Sequence, residues 1–376
     1  MENPAIVYRR LANQHISDLG IGVKRPEDAL ASMGAIQAQD YPAALWAIGL
    51  RCENSTQAGI EAAIAKKTIV RTWLMRGTLH FVASSDIRWM LRLLAPRLTA
   101  FSASRERQLG MSDDIVKKSE MLFAKALQGG GQLTRDQMYQ VLKKGGIATT
   151  DTRGYHLLYR AASDGLICFG AHDGKRPRFT LLDEWIVRRK EISDDRALGE
   201  LASRYFTSHG PATIKDYVWW SGLKVSDAKT GIEKASPPLV QEEIGGKTYY
   251  APRSGQGSRI GALSVHLLPA FDEYLVGYSD RSAMLSDEKT QEMLRSGRIT
   301  FTHSNGIFLP TIVIDGEVVG TWKRRDERGK ATVTIQPFLK LDNEQMEGVR
   351  RAAERYGDFL GVPILLKENP AAPNPP

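Results

Sequence analysis

Two threonines stand at equivalent places in the middle of the chain, and they constrain the fold more than any other feature. Thr134 lies three residues before Gln137, the Thr-x-x-Gln form of a capping box, so a helix is predicted over 135–144, stopped by Gly145-Gly146. Thr213 opens a second such helix over 214–220, which Gly222 ends. Each follows a longer helical segment, 115–127 closed by Gly129-Gly130-Gly131 in one case and 196–207 in the other. Each leads to a further helix, 153–164 closed by Gly165 and 227–234 capped by Ser226. Each then reaches a hairpin, 166–169 with 178–182, and 240–244 with 247–251 across Gly245-Gly246. Three short helices and a hairpin make a winged helix. The two units share order but little identity, so the repeat is architectural.

The N-terminal third has the same order. Residues 5–32 read as helix, turn, helix, with a break at Gly20-Ile21-Gly22 and Pro26, Glu27 and Asp28 suited to a first turn. A helix over 55–67 precedes a hairpin over 70–82 that turns at Arg76-Gly77. A further helix is expected over 86–98, with Pro96 near its end. After a Gly/Ser-rich connector at 252–261 the pattern becomes mostly strand: 263–269, 307–314, 318–324 and 331–338, with Asp315-Gly316 as a hairpin turn. A helix over 343–361 is expected to pack across that sheet. The fold class is therefore α+β, with three tandem winged-helix units and a C-terminal β-rich unit. The expected boundaries are 1–110, 111–192, 193–258 and 259–368, with a disordered tail at 369–376.

Charge and cysteine usage narrow the functional classes. Among 376 residues, Lys and Arg number 51 against 43 acids, a net charge of +8 that modestly favours polyanionic partners. The two cysteines, Cys52 and Cys168, are far apart and lack metal-ligand spacing, which points to reduced core thiols in a cytosolic protein. No signal segment and no apolar run long enough to span a bilayer is present. The glycine runs lack the Lys-Ser/Thr of a phosphate loop, and neither His-Glu-x-x-His nor Cys-x-x-Cys occurs. No metal and no cofactor is expected. His80 reads as a core histidine and His209 as a turn residue. Asp272-Glu273-Tyr274 reads as an ion-paired network or as the wall of a site.

One stretch carries more polarity than a core segment needs. In Met33–Arg51, Gln37 and Gln39 lie among small apolar residues, followed by Asp40, Tyr41 and Pro42. A buried carboxamide without partners costs about 1–3 kcal/mol, so two within three residues suggest use. Basic clusters elsewhere suit a duplex: Lys175, Arg176 and Arg178 near the second wing, and Lys323, Arg324 and Arg325 in the C-terminal unit. Hairpins at 244–251 and 315–325 are candidates to enter a groove.

Taken in order, several runs resemble the winged-helix DNA glycosylases of the AlkZ and YcaQ type over nearly the whole chain. They are Gln37-Ala38-Gln39-Asp40 with Leu45-Trp46 and Gly49-Leu50-Arg51, Arg71 to His80, Gly210-Pro211-Ala212-Thr213 leading to Trp220-Ser221-Gly222-Leu223, Leu268 to Tyr274, and Asp315-Gly316 before Gly320-Thr321-Trp322. The resemblance implies a C-shaped arrangement of the three winged helices around duplex DNA, and a monofunctional glycosylase that excises alkylated purines. It also implies that Gln37 and Gln39 are catalytic, in the Gln-x-Gln branch. Asp40, Tyr41, Trp46 and Arg76 are assigned supporting roles, with Asp40 a rival base. The expected partner is double-stranded DNA carrying alkylated purines, as monoadducts or interstrand crosslinks, bound by a monomer at the nucleoid. A DNA-binding regulator without catalysis is the alternative.

Two amides suit that chemistry. A purine alkylated on its imidazole ring is cationic and leaves as a neutral base, so no general acid is required. What remains is to place a water near the anomeric carbon and tolerate oxocarbenium-like charge. Residues i and i+2 share a face only in extended backbone, so a non-helical segment is predicted at Gln37–Gln39.

Overall fold

The computed structural model describes residues 4–16, 23–172, 176–186, 192–253, 263–285, 287–297, 300 and 308–369. In the N-terminal region, helices Pro4–Asn13 and Pro26–Met33 precede a two-residue strand β1 (Ile36–Gln37). Helices Tyr41–Leu50 and Gln57–Ala65 follow, then β2 (Ile69–Trp73), a 3₁₀ turn Met75–Gly77 and β3 (Leu79–Ala83). The expected hairpin turn at Arg76-Gly77 is present, and both residues have left-handed backbone, φ 56° and 72°. Gly adopts that conformation freely, whereas Arg76 is held there at a cost.

The next helix, Ile87–Gln108, does not stop near Pro96 as expected. Its buried residues Ile87, Met90, Leu91, Leu94, Leu98 and Ser102 keep one continuous inner face across the proline. Pro96 itself lies exposed on the opposite, outer face, so its ring does not interrupt that packing.

Helices Asp113–Leu127, Arg135–Lys144 and Arg153–Ser163 come next with β4 (Leu133–Thr134), β5 (Ile167–Phe169) and β6 (Arg178–Leu181). The Thr134 capping box is formed, both reciprocal bonds being present with Gln137. The order β1-β3-β2-β5-β6-β4 makes one six-stranded sheet from strands of the first two regions, joined where Arg71 faces Phe169. Trp73 and Leu79 accordingly sit in the core of the second region, where Trp73 packs on Phe169, Phe179, Tyr155 and Tyr159. No local pattern signalled that continuity.

The Thr213 box with Asp216 opens helix Ile214–Ser221, after helix Asp194–His209. Helix Val225–Glu233 begins two residues before the expected Asp227, and Lys224 rather than Ser226 occupies the N-cap, without a side-chain bond. Strands β7 (Val240–Ile244) and β8 (Lys247–Ala251) pair as expected across Gly245-Gly246.

The C-terminal sheet comprises β9 (Val265–Leu268), β10 (Thr311–Ile314), β11 (Glu317–Glu327), β12 (Lys330–Pro337) and β13 (Ile364–Glu368). Its order is β13-β12-β11-β10-β9. Helix Asn343–Leu360 packs on it, with Gly348 against Val265. β13 was not anticipated. It pairs parallel to β12, which requires the intervening helix as a crossover. Trp46 and Trp322 donate from their indoles to Leu267 and Leu268 carbonyls, both at 2.8 Å, and both pack on Tyr356. This aromatic knot docks helix Tyr41–Leu50 against the C-terminal sheet. Lys175, the Gly20-Ile21-Gly22 break, the connector beyond residue 253 and the tail expected at 369–376, save Asn369, lie outside the described residues.

Candidate active site

β1 is short because its neighbours demand it. Ile36 and Gln37 pair with Phe81 and His80, and the chain then bends to start helix Tyr41–Leu50. The backbone at the glutamines is non-helical, as their spacing required. Gln37 is 8 % exposed, Ala38 is fully buried, and Gln39 is exposed. The Ala38 N–H donates to Leu79 O at 2.6 Å, and its carbonyl accepts from Arg71 Nε and Nη2 at 3.1 and 2.7 Å.

Both carboxamide oxygens converge on one turn. Gln37 Oε1 accepts from Arg76 Nη2 at 3.4 Å, and Gln39 Oε1 accepts from the Leu79 N–H at 3.3 Å. A guanidinium and a backbone amide can only donate, so the oxygen end of each carboxamide must face this turn. Both contacts are longer than the usual 2.9–3.0 Å or so. Each oxygen keeps a second lone pair.

Arg76 is fastened on its other side, where Nη1 donates to the carbonyls of Trp219, at 3.4 Å, and Trp220. Burial lowers the Arg76 pKa, and the Glu273 carboxylate opposes that shift. Glu273 is fully buried behind the strand. Its Oε1 accepts from the Gln37 N–H at 2.8 Å, and its Oε2 accepts from Trp220 Nε1 at 2.9 Å. His209 Nε2 stands 3.6 Å away, an electrostatic contact rather than a hydrogen bond. Burial pushes the Glu273 pKa up, but His209, His80 and Arg76 outweigh it and hold the carboxyl at about 2. The carboxylate is therefore ionised. His80 is pushed down to about 4, first by burial and then by Arg76, so it is neutral at pH 7. His209 is no turn residue: it ends helix Asp194–His209, fully buried, because the aromatic cluster of Tyr205, Trp220 and Tyr278 packs around it.

The remaining residues anticipated from sequence divide. Asp40 is exposed and caps helix Tyr41–Leu50, accepting from the Ala43 N–H at 3.1 Å. Tyr41 stacks on His172 with centroids 3.9 Å apart, under Arg71 at 5.4 Å, and burial raises its pKa to about 12. Trp46 lies in the aromatic knot described above, where it anchors the helix that follows the motif. Arg176 is exposed and Arg178 half-buried in β6. The triplet Lys323-Arg324-Arg325 is split by the pleat of β11. Lys323 and Arg325 are exposed on one face, whereas Arg324 turns to the other, bonded to Asp326 and, at 3.0 Å, to the Tyr356 hydroxyl.

Arg71 and Trp220 stood in the family runs without a role at the site, whereas Glu273 belongs to the Asp272-Glu273-Tyr274 run read as an ion-paired network or a site wall, and it bonds Gln37 and Trp220. Its signal was visible: two adjacent acids, Asp272 and Glu273, inside an otherwise largely apolar run from Leu267 to Val276. Its neighbour Asp272 forms a bidentate pair with Arg51 at 2.9 Å, both fully buried, so the run supplies a structural ion pair and the wall behind Gln37.

The chain is similar to known proteins over most of its length. An interstrand DNA cross-link repair glycosylase from Streptomyces sahachiroi is 24% identical over 362 residues, covering 90% of this chain and 91% of the relative. The solved structure of Streptomyces sahachiroi DNA glycosylase AlkZ superimposes with a TM-score of 0.76 at 21% identity, over 97% of this chain and 100% of that one. The family model described as DNA glycosylase AlkZ-like matches residues 30–359, a span that runs from just before β1 to the end of helix Asn343–Leu360, and the chain belongs to that family.

Proposed function

We propose that the protein hydrolyses the glycosidic bond of cationic N-alkylated purines in duplex DNA, with a water held by Gln37 and Gln39. The observation that carries this reading is the convergence of the two carboxamide oxygens on the Arg76–Leu79 turn. The second lone pair of each oxygen accepts from a water placed beside the anomeric carbon, and the carbonyl dipoles face the developing oxocarbenium charge. The electron pair of the breaking C–N bond passes to the purine and neutralises it. The water oxygen bonds to the anomeric carbon and its surplus proton leaves to solvent. No covalent enzyme intermediate forms, so the enzyme is monofunctional. The name of the Streptomyces sahachiroi relative favours interstrand crosslinks among the substrates, beside monoadducts.

The DNA lies against three tandem winged helices arranged in a C shape, with the C-terminal sheet completing the contact. The matching element order of the three regions supports this. The phosphate contacts come from Arg176, Arg178, Lys323 and Arg325, together with Lys175. Arg324 is excluded, because Asp326 and Tyr356 already hold it.

The test is direct. A duplex methylated on purine ring nitrogens is incubated with the protein, abasic sites are cleaved with alkali, and strand breaks are counted. The wild-type protein is expected to generate breaks and the Gln37→Ala/Gln39→Ala double variant to stay near the spontaneous background. A wild-type protein that binds the duplex but makes no breaks overturns the proposal. Salt dependence tests the contact surface. Five side chains on phosphates give a slope of about −4.5 in log K against log salt, or about 500-fold weaker binding at fourfold higher salt. Removing Lys323 and Arg325 together is expected to flatten that slope by about 1.8, whereas Arg324→Ala leaves it unchanged.

A further inference from the structure

We infer that Glu273 is the positioning residue for Gln37, holding it at both its backbone and its carboxamide. The inference rests on the proposed role of Gln37 as a holder of the attacking water. Among the described residues β1 is an edge strand, paired with β3 alone. The Ala38 N–H points into that pairing, toward Leu79 O, so the Gln37 N–H points outward, where an edge strand has no ladder partner. Glu273, from the Glu273–Val276 turn of helix, closes that gap at 2.8 Å. The same carboxylate offsets the burial of the Arg76 guanidinium, which holds Gln37 Oε1 at 3.4 Å. One buried anion thus fixes where the strand lies and gives a counter-charge to the buried guanidinium that orients the carboxamide.

The identity of the residue follows from what surrounds it. Glu273 meets the Gln37 N–H, the Trp220 indole N–H and the His209 ring, and an ionised carboxylate is acceptor-only on both oxygens. A glutamine there would turn an amide group against a donor. It would also remove the charge that Arg76 faces. A neutral core filler would satisfy neither group, which is why we read the acid as serving Gln37 rather than only the packing. Trp220 links this centre to the fold: its ring lies 3.3 Å from the position a Cβ would take on Gly34, at the entry to β1.

The test compares Glu273→Gln with the glutamine variants in single-turnover excision from a methylated duplex. Glu273→Gln is expected to slow excision by about 10–100-fold, the scale for displacing one positioned group, with lesion-duplex affinity unchanged. On the Gln37→Ala background the same substitution is expected to add less than about threefold, while on the Gln39→Ala background it retains most of its effect. A general packing role would slow all three backgrounds alike, and that result overturns the inference, as does a wild-type rate for Glu273→Gln. Should Glu273→Gln fail to fold, Glu273→Asp serves in the same cycle: it keeps the charge but is one methylene too short to reach both Gln37 and Trp220. Failure of the underlying reading looks different, because Gln37→Ala itself would then excise at the wild-type rate.

Discussion

Gln37→Ala is expected to slow release of a cationic alkylated purine by about 10–1,000-fold, the range for losing one preorganised polar group at a reacting centre. The upper part of that range applies to Gln37 and the lower part to Gln39. Gln37 is buried and clamped between Arg76 and the Glu273-bonded backbone, so nothing else can take the place of its oxygen. Gln39 is exposed and, among the described residues, held by the Leu79 N–H alone, so a solvent water can take over part of its role in Gln39→Ala. Neither amide is charged and neither lies in a basic cluster, so duplex affinity is expected to survive both substitutions. Single-turnover excision on one methylated duplex, with fluorescence anisotropy for binding, separates the two quantities. Wild-type rates in both variants would make the pair structural.

Asp272→Ala is expected to destabilise the fold by about 3–5 kcal/mol, because it strands the Arg51 guanidinium in the core. Both partners are fully buried and doubly hydrogen-bonded, and Arg51 also donates to the Ala47 carbonyl and to Gln14 Oε1. Gln14 in turn donates to the Tyr278 hydroxyl, and that hydroxyl donates to the His209 carbonyl. The pair therefore ties helices Pro4–Asn13 and Tyr41–Leu50 to the run that carries Glu273. Ordinary domains have about 5–15 kcal/mol in total, so a loss of this size should appear as a large fall in the urea midpoint. Asp272 also accepts from the Tyr274 N–H at 2.9 Å, at the start of the short helix of Glu273. Excision by any folded Asp272→Ala protein is expected to fall with it. An unchanged midpoint would show that the core ion pair contributes nothing to stability.

The elements that sequence reasoning placed well are those whose signals are local. The capping boxes at Thr134 and Thr213, the Asp315-Gly316 turn and the Gly245-Gly246 hairpin each depend on residues within a few positions of one another. The non-helical backbone at Gln37–Gln39 followed from the period of a strand. Errors arose where a local rule met a tertiary competitor. Pro96 should end a helix, yet the inner face continues past it while Pro96 itself lies exposed on the outer side. Three consecutive basic residues at 323–325 look like one patch, yet a strand sends alternate side chains to opposite faces and Tyr356 takes the middle one.

The amino-acid order by itself determined the helices opened by Thr134 and Thr213, the tight turns, the family resemblance and the identity of the two glutamines, because each of these is written in neighbouring residues; it marked neither helix Tyr41–Leu50 nor the continuation of Ile87–Gln108 past Pro96. Only the tertiary structure decided that β2 would join β5, that Arg76 would reach the Gln37 oxygen, and that Glu273, 236 positions away, would bond the Gln37 backbone. Those contacts depend on how separate regions pack. A buried carboxylate finds its donors in three dimensions, and no short-range pattern encodes which ones they are.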